Sequence, residues 1–569
     1  MRALRILATL QLFGFVALVA QQDAAPAVYT RADTLRGLLT PVRTCYDVTY
    51  EHLDVRIDTV HKAIAGSNTI QFRATGDFET MQVDLFANMK VDSITIDKNG
   101  RARYDREINA VFVHLPVPVK QGTMHELRFY YSGSPQEAAN PPWQGGFSWM
   151  HDKQGNPWIV VTCQGTGASL WWPNKDHQSD EPDSMLISIT VPRGLEDVSN
   201  GKLRAAVALP GGWTRYDWIV SNPINNYNVT VNIGRFAHFS EIFQGEEQAF
   251  SLDYYVMPEN LEKAKIQFQQ VKPMLKCYEK FYGPYAFARD GYKLVESPHT
   301  GMEHQSAVAY GNWYIQGYRG RASAPVGLKF DFIIVHESAH EWWGNSLTSA
   351  DIADMWIHES FGAYSEALFV ECLYGRTESL AYINGKKSNV RNDRPIIGVY
   401  NLHKQGSGDM YDKGQLVLNT LRSVVDNDSL WFATIRGIAM TYRRRIVTAE
   451  DIFRYFNETT GKDLGYFFDQ YLKHTKVPVL QVVVTKKGND VSARYRWNAE
   501  VENFKMPVKV TTTPGKMEFI YPTTSWQTMK LGLNDPSEFS VAEDLFLVET
   551  RVSRSYLDPN LPEQPSRPR

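Results

Sequence analysis

The stretch FIIVHESAHEWWGN, residues 332–345, decides how the rest of this 569-residue chain is read. Four apolar residues run directly into two histidines and two glutamates. His336 and His340 are four apart, so on a helix they stand one above the other on a single face. The apolar turn before them buries such a helix, and a buried helix holds polar side chains rigidly in dry surroundings. Two imidazoles converging from one face suit a single ion. Glu337 falls on the adjacent face, where a general base for an attacking water belongs. A structural zinc site would close all four positions with protein ligands and have no use for that base.

Two histidines leave a metal short of a ligand. The spacing predicts that Gly344 ends the helix and that a loop carries the chain to Asp354. A second helix-like run, MWIHESFGAYSEALFVECLYG, follows over residues 355–375 and stops at Gly375. It contains Glu359, with 18 residues between it and His340. A third ligand from a second, antiparallel helix is reasonable at that separation, and His2Glu with an open fourth position is the catalytic pattern. His358 is the neighbouring competitor, but it points about 100° away on a helix and reads as a supporting or packing residue. Glu366, two turns beyond Glu359 on the same face, is either a group that orients a ligand or an ordinary helix-face charge.

The remainder of the chain bounds the setting. Its length is too great for one ordinary core. The formal net charge is −3, and no basic face argues for nucleic acid. Arg2 and Arg5 precede a short apolar run over residues 6–20, which suits a signal peptide spanning 1–20. The chain is therefore expected to be exported, periplasmic or extracellular, with no membrane span in the mature protein. Four cysteines, Cys45, Cys163, Cys277 and Cys372, are far apart and can pair in three ways, with buried free thiols equally open.

Hydrophobic period divides the chain. Residues 53–131 alternate with period two, between turn signals at Asn99-Gly100 and Gln121-Gly122, and the pattern continues at 187–191 and 227–233. Helix-like segments dominate from about 259 to 474, and strands return after Pro478. The expectation is a multidomain α+β protein with an N-terminal antiparallel β domain (27–245) and a mainly α catalytic domain (246–476). A small C-terminal β-sandwich (477–556) and a disordered tail (557–569) follow.

The motifs carry a family resemblance. H-E-x-x-H, 18 residues and Glu, together with Trp343-Gly344-Asn345 and Trp356-Ile357-His358-Glu359-Ser360-Phe361, resemble the zinc aminopeptidases. That family, of the gluzincin clan, includes aminopeptidase N and the leukotriene epoxide hydrolase. TGMEH, residues 300–304, resembles the family's G-x-M-E-N signature, and YDKG, 411–414, its Y-x-K-G element. CQGTGASLWWP, 163–173, resembles the stretch by which the N-terminal domain reaches the active site. The resemblance implies a thermolysin-like catalytic domain and one Zn2+ held by His336, His340 and Glu359. It implies Glu337 and Tyr411 as catalytic residues, and Glu303, Gln164, Gly301 and Met302 as substrate-binding residues. The substrates implied are peptides with a free N-terminus.

The chemistry agrees with those roles. A buried carboxylate such as Glu303 holds an ammonium by a charge-assisted hydrogen bond, and a tyrosine hydroxyl donates to an oxyanion. Three positions depart from the family pattern. His304 replaces the usual Asn, Thr162 stands where many relatives have Gln, and Gln164 is neutral, so amine binding leans on Glu303. No counterpart of the large helical C-terminal domain of longer relatives is expected here. The readings from other classes are an endopeptidase without the amine anchor and a silent scaffold. The acidic residues Asp176, Asp180, Glu181 and Asp183 lack a decisive cation-binding spacing.

Overall fold

The computed structural model describes residues 29–98 and 100–557. The segment expected to be a signal peptide, 1–20, and the expected tail from 558 lie outside the described residues, and Leu557 closes the last strand, Glu549–Leu557.

The first half is β, as its period-two pattern requires. Along the strand Tyr46–Asp58, Leu53, Val55 and Ile57 are fully buried while Asp54 and Arg56 are not. This strand pairs antiparallel with Ala63–Ala74, Val55 facing Gly66, at the centre of an eight-stranded sheet. The sheet is not purely antiparallel, because Ser184–Pro192 runs parallel to the first strand, with Val55 beside Ile189. A four-stranded and a three-stranded sheet complete this part. The strand expected over 227–233 is mostly absent. Asn226–Asn228 forms a 3-10 turn, and only Asn232–Gly234 is extended. Asparagine side chains explain the difference: Asn225 accepts the Asn228 N–H at 3.1 Å, and Asn226 donates to the Lys175 carbonyl at 2.6 Å.

A five-stranded mixed sheet opens the second part and begins before the expected boundary at 245. Ala237–Gln244 and Ala249–Val256 form one hairpin across it. The sheet continues through Tyr292–Glu296 and Val308–Tyr310 to the edge strand Gly301–Met302. Helices pack on it. Trp356–Tyr374 is buried along every face from Trp356 to Val370, with Phe332–Ala339, Arg376–Asn384, Asp412–Val425 and Val271–Tyr282 around it. Cys277 and Cys372 tie two of these helices by a disulfide that spans 95 residues, while Cys45 and Cys163 are free and buried.

The C-terminal strands form a four-stranded sheet and a separate hairpin. They share one continuous apolar core with the helices. Tyr471 donates to the Leu547 carbonyl at 2.6 Å, and the Leu547 N–H donates to Thr420 Oγ1 at 2.8 Å. Met302, Val295 and Ala309 instead belong to the core of the N-terminal part. The edge strand is thus clamped between the two halves. No helix among the described residues is long and apolar enough to cross a membrane.

Candidate active site

The helix Phe332–Ala339 begins at Asp331, whose carboxylate accepts the N–H groups of Ile333 and Ile334 at 3.0 and 3.4 Å. Regular helix stops at Ala339, short of Gly344, and His340 is the C-cap. The Trp342 and Trp343 N–H groups both turn back to the Ala339 carbonyl, which tightens the end. His340 Nδ1 donates to the Trp343 carbonyl at 2.9 Å, and His336 Nδ1 to Glu366 Oε1 at 2.8 Å. Each imidazole is thereby fixed in the tautomer that leaves Nε2 as the ligating nitrogen.

Those two nitrogens are 3.4 Å apart and lie 3.7 and 3.4 Å from Glu359 Oε2. Close helix packing makes this possible, since a Cβ on Gly362 would come within 2.8 Å of the His340 ring. Glu359 Oε1 accepts from Gln164 at 2.9 Å, whereas the buried Oε2 has no hydrogen-bond partner. Burial opposes charge on Glu359, yet His340 and His336 outweigh it and hold its carboxyl below the ordinary value. Burial likewise opposes the His340 cation, but Glu303 and Glu359 push that group up to about 9. The cluster is a well for positive charge with an orphaned oxygen at its centre, and its donors are those of zinc, so the residues fit the ion. Glu303, Glu337 and His340 also lie close enough to share an ion. Glu303, however, already has two hydrogen-bond donors.

Those donors are Gln164, at 2.7 Å from Glu303 Oε1, and the Tyr227 hydroxyl, at 3.0 Å. Gln164 thus bridges Glu303 and Glu359 through one amide nitrogen. Burial, helped by Glu359 and Glu337 and opposed by His340, pushes the Glu303 carboxyl up to about 7. That is the state of a carboxylate short of a cation. Asn345 donates to the Glu303 carbonyl at 2.8 Å and accepts from Asn228 at 2.6 Å, stitching the N-terminal part to the site.

Glu337 lines the same cleft, its carboxyl raised by burial. Gly301 lies against it: a Cβ there would stand 2.6 Å from Glu337 Oε1, so only glycine leaves the carboxylate its place. Tyr411 is the N-cap of the helix Asp412–Val425, its ring 6.0 Å from that of His336. Burial, reinforced by Glu359 and Glu303, keeps its phenol protonated, which preserves a donor. The cleft, about 240 Å3, holds these residues together with Gln164, Gly301, Met302, Glu303 and the three ligand candidates.

The structure also places the other residues singled out in the sequence. Of the two roles open to Glu366, the structure gives it the one that orients His336, and Glu366 in turn accepts from Tyr382 at 2.6 Å. His358 faces away from the ligand cluster. Its Nε2 accepts the Ser349 N–H at 2.9 Å, and its Nδ1 lies 3.3 Å from Tyr227. His304 is buried with both ring nitrogens unpartnered and is absent from the cleft lining. Thr162 is likewise buried at the end of its strand. Two members of the acidic cluster are engaged by cations of the chain: Asp176 pairs with Arg36 at 2.9 Å and Asp180 with Lys175 at 2.6 Å. Tyr227 gave no sequence signal beyond its place in an Asn-rich run, and neither did the cleft-lining Trp143, Tyr318 and Lys386.

Residues 266–471 match the Peptidase family M1 domain. The chain is 22% identical over 404 residues to human endoplasmic reticulum aminopeptidase 1, covering 66% of this chain and 42% of that protein. It is 20% identical over 445 residues to leukotriene A-4 hydrolase of Xenopus laevis, covering 73% and 69%. A solved M1 zinc metallopeptidase from Deinococcus radiodurans shares the fold, with TM-score 0.61 and 19% identity over 76% of this chain and 94% of that one.

Proposed function

We propose that this chain, which carries a Peptidase family M1 domain, is a zinc-dependent aminopeptidase. It removes N-terminal residues from peptides by attack of water on the first peptide bond. The observation that carries the reading is Glu303, a buried carboxylate in the same cleft as a His2Glu donor set and joined to it by Gln164. A group of that charge beside the reacting centre pairs with the substrate's ammonium.

His336, His340 and Glu359 would hold a zinc ion, which would supply Lewis acidity for the attack of water. Glu337 accepts the water's proton and delivers it to the departing amine. Tyr411 donates to the carbonyl oxygen as it gains charge. Glu303, oriented by Gln164 and Tyr227, anchors the N-terminal amine, so cleavage falls one residue from the end. The relatives' names and the intact Glu337 and Tyr411 support this over a silent scaffold.

The test is a panel of aminoacyl chromogenic amides on the purified chain, with and without chelator. Hydrolysis that chelator abolishes and zinc restores is expected. Absence of hydrolysis, or indifference to chelator, contradicts the reading. The same proposal places the protein outside the cytoplasm, supported by the signal-like residues 1–20 and the Cys277–Cys372 disulfide. Mass spectrometry of the exported protein should find an N-terminus near Gln21.

A further inference from the structure

Glu303 lies within reach of His340 and Glu337, and on the His336 side the same cleft has another stretch of wall. It is lined by Tyr318, Phe332, Lys386 and Asp412. The Phe332 ring stacks on that of His336, centroids 5.3 Å apart at 11°. The Lys386 ammonium stands 5.2 Å from the centroid of the same Phe332 ring. Its side chain is only 14% exposed, and its nearest carboxylate oxygens are Asp412 Oδ1 at 3.6 Å and Glu366 Oε2 at 3.7 Å. Both separations exceed a hydrogen bond.

Other sheltered lysines of this chain behave differently. Lys175 donates to the Tyr46 carbonyl at 2.7 Å and to Asp180 at 2.6 Å. Lys413 donates to the Thr475 carbonyl at 2.8 Å, and Lys293 donates to the Gly201 carbonyl. The carboxylates beside Lys386 have donors of their own. Glu366 serves His336 and Tyr382, and Asp412 accepts from Asn389 and Gln415. Among the described residues, Lys386 is thus ion-paired with two carboxylates but in tight hydrogen-bond contact with neither, which leaves a cleft-lining ammonium with donor capacity for a further carboxylate. A second cation stands at the rim, where Arg319 donates to Thr300, itself a lining residue.

We propose that Lys386 reads a carboxylate on the leaving-group side of the scissile bond. The carboxylate is either the C-terminus of a short peptide or an acidic side chain on the residue after the cut. The inference rests on the aminopeptidase reading. The two ends of a short peptide carry opposite charges, and this cleft presents a carboxylate on the His340 side and an ammonium on the His336 side. That polarity orients the substrate and favours short or acidic peptides. The route is direct contact with substrate, which separates it from a role in which Lys386 only steadies Glu366 behind His336.

The experiment uses four peptides sharing the N-terminal residue best accepted in the amide panel. Their second residues are alanine as free acid, alanine amide, aspartate amide and asparagine amide. Wild type should favour the carboxylate member of at least one pair by about tenfold in kcat/KM, chiefly through KM. The first pair reports the chain terminus and the second the side chain. Lys386→Met should bring the favoured ratio to about one, and Lys386→Arg should retain it. Equal cleavage within both pairs by wild type overturns the inference, even if Lys386→Met does not fold. So does a Lys386→Met enzyme that loses the same factor on all four. Failure to cleave any of the four or the chromogenic amides would instead defeat the aminopeptidase reading itself.

Discussion

One half of the cleft around Glu359 is made from neighbours in sequence, the other from residues far apart in it. His336, His340, Glu359 and Glu366 come from two packed helices, and Glu366 lies 30 positions from the histidine it holds. Gln164 reaches Glu303 across 139 positions and Glu359 across 195, and Tyr227 reaches Glu303 across 76. The first half sits on rigid elements inside a continuous core. The second assembles where the N-terminal part meets the helices, from a turn, a loop and an edge strand. Bond-breaking chemistry needs fixed ligands, and helices supply them. Selection of a chain end needs several polar groups converging on one point, and loops supply those. Substitutions in the helical half should therefore cost turnover or metal, and substitutions in the assembled half should cost discrimination.

The largest effect should come from Glu337→Gln. The amide is nearly isosteric but accepts no proton, so kcat should fall about 10²- to 10⁴-fold with zinc content and melting temperature kept. Retention of more than about a tenth of the rate would remove Glu337 as the base. Next, Glu359→Ala should release zinc on dialysis, because two imidazoles leave coordination incomplete. Full metal occupancy in that variant would move the third ligand elsewhere. Glu366→Gln should weaken zinc roughly 10- to 100-fold in a chelator competition, since it loosens the hold on His336 Nδ1. An unchanged affinity would make Glu366 a packing residue. The smallest effect belongs to the assembled half. Tyr227→Phe should lower kcat/KM on free-amine substrates about two- to tenfold while leaving zinc affinity alone. A loss of metal there would break the division between the halves.

The same division decides what the sequence could reveal. A histidine pair at helical spacing and a carboxylate on the following helix are local facts, visible because 3.6-residue periodicity fixes which side chains share a face. The alternation of Leu53, Val55 and Ile57 announced the sheet for the same reason. Glu303 was found only through its motif, and Tyr227 was not found at all. The strand expected around Tyr227 gave way to a turn because its asparagines bond to backbone rather than extending a ladder. Position 245 falls inside a hairpin, and a hairpin looks alike in sequence whether it closes one domain or opens the next. His304 carried a motif position but lines no part of the cleft. Long-range pairing leaves no periodic trace, so that half of the site required the fold.

The central claim is that the assembled half reads a free amine while the helical half does the chemistry. It is tested most directly by comparing one peptide, with its N-terminus free or acetylated, on wild type and on Glu303→Ala at equal zinc content. Wild type should strongly favour the free peptide. Glu303→Ala should lose roughly 10- to 150-fold in kcat/KM on that peptide, the effect of removing a charge-assisted hydrogen bond. It should change little on the acetylated one. Equal losses on both peptides, or a wild type that cleaves both alike, would contradict the account and leave a metallo-endopeptidase in its place.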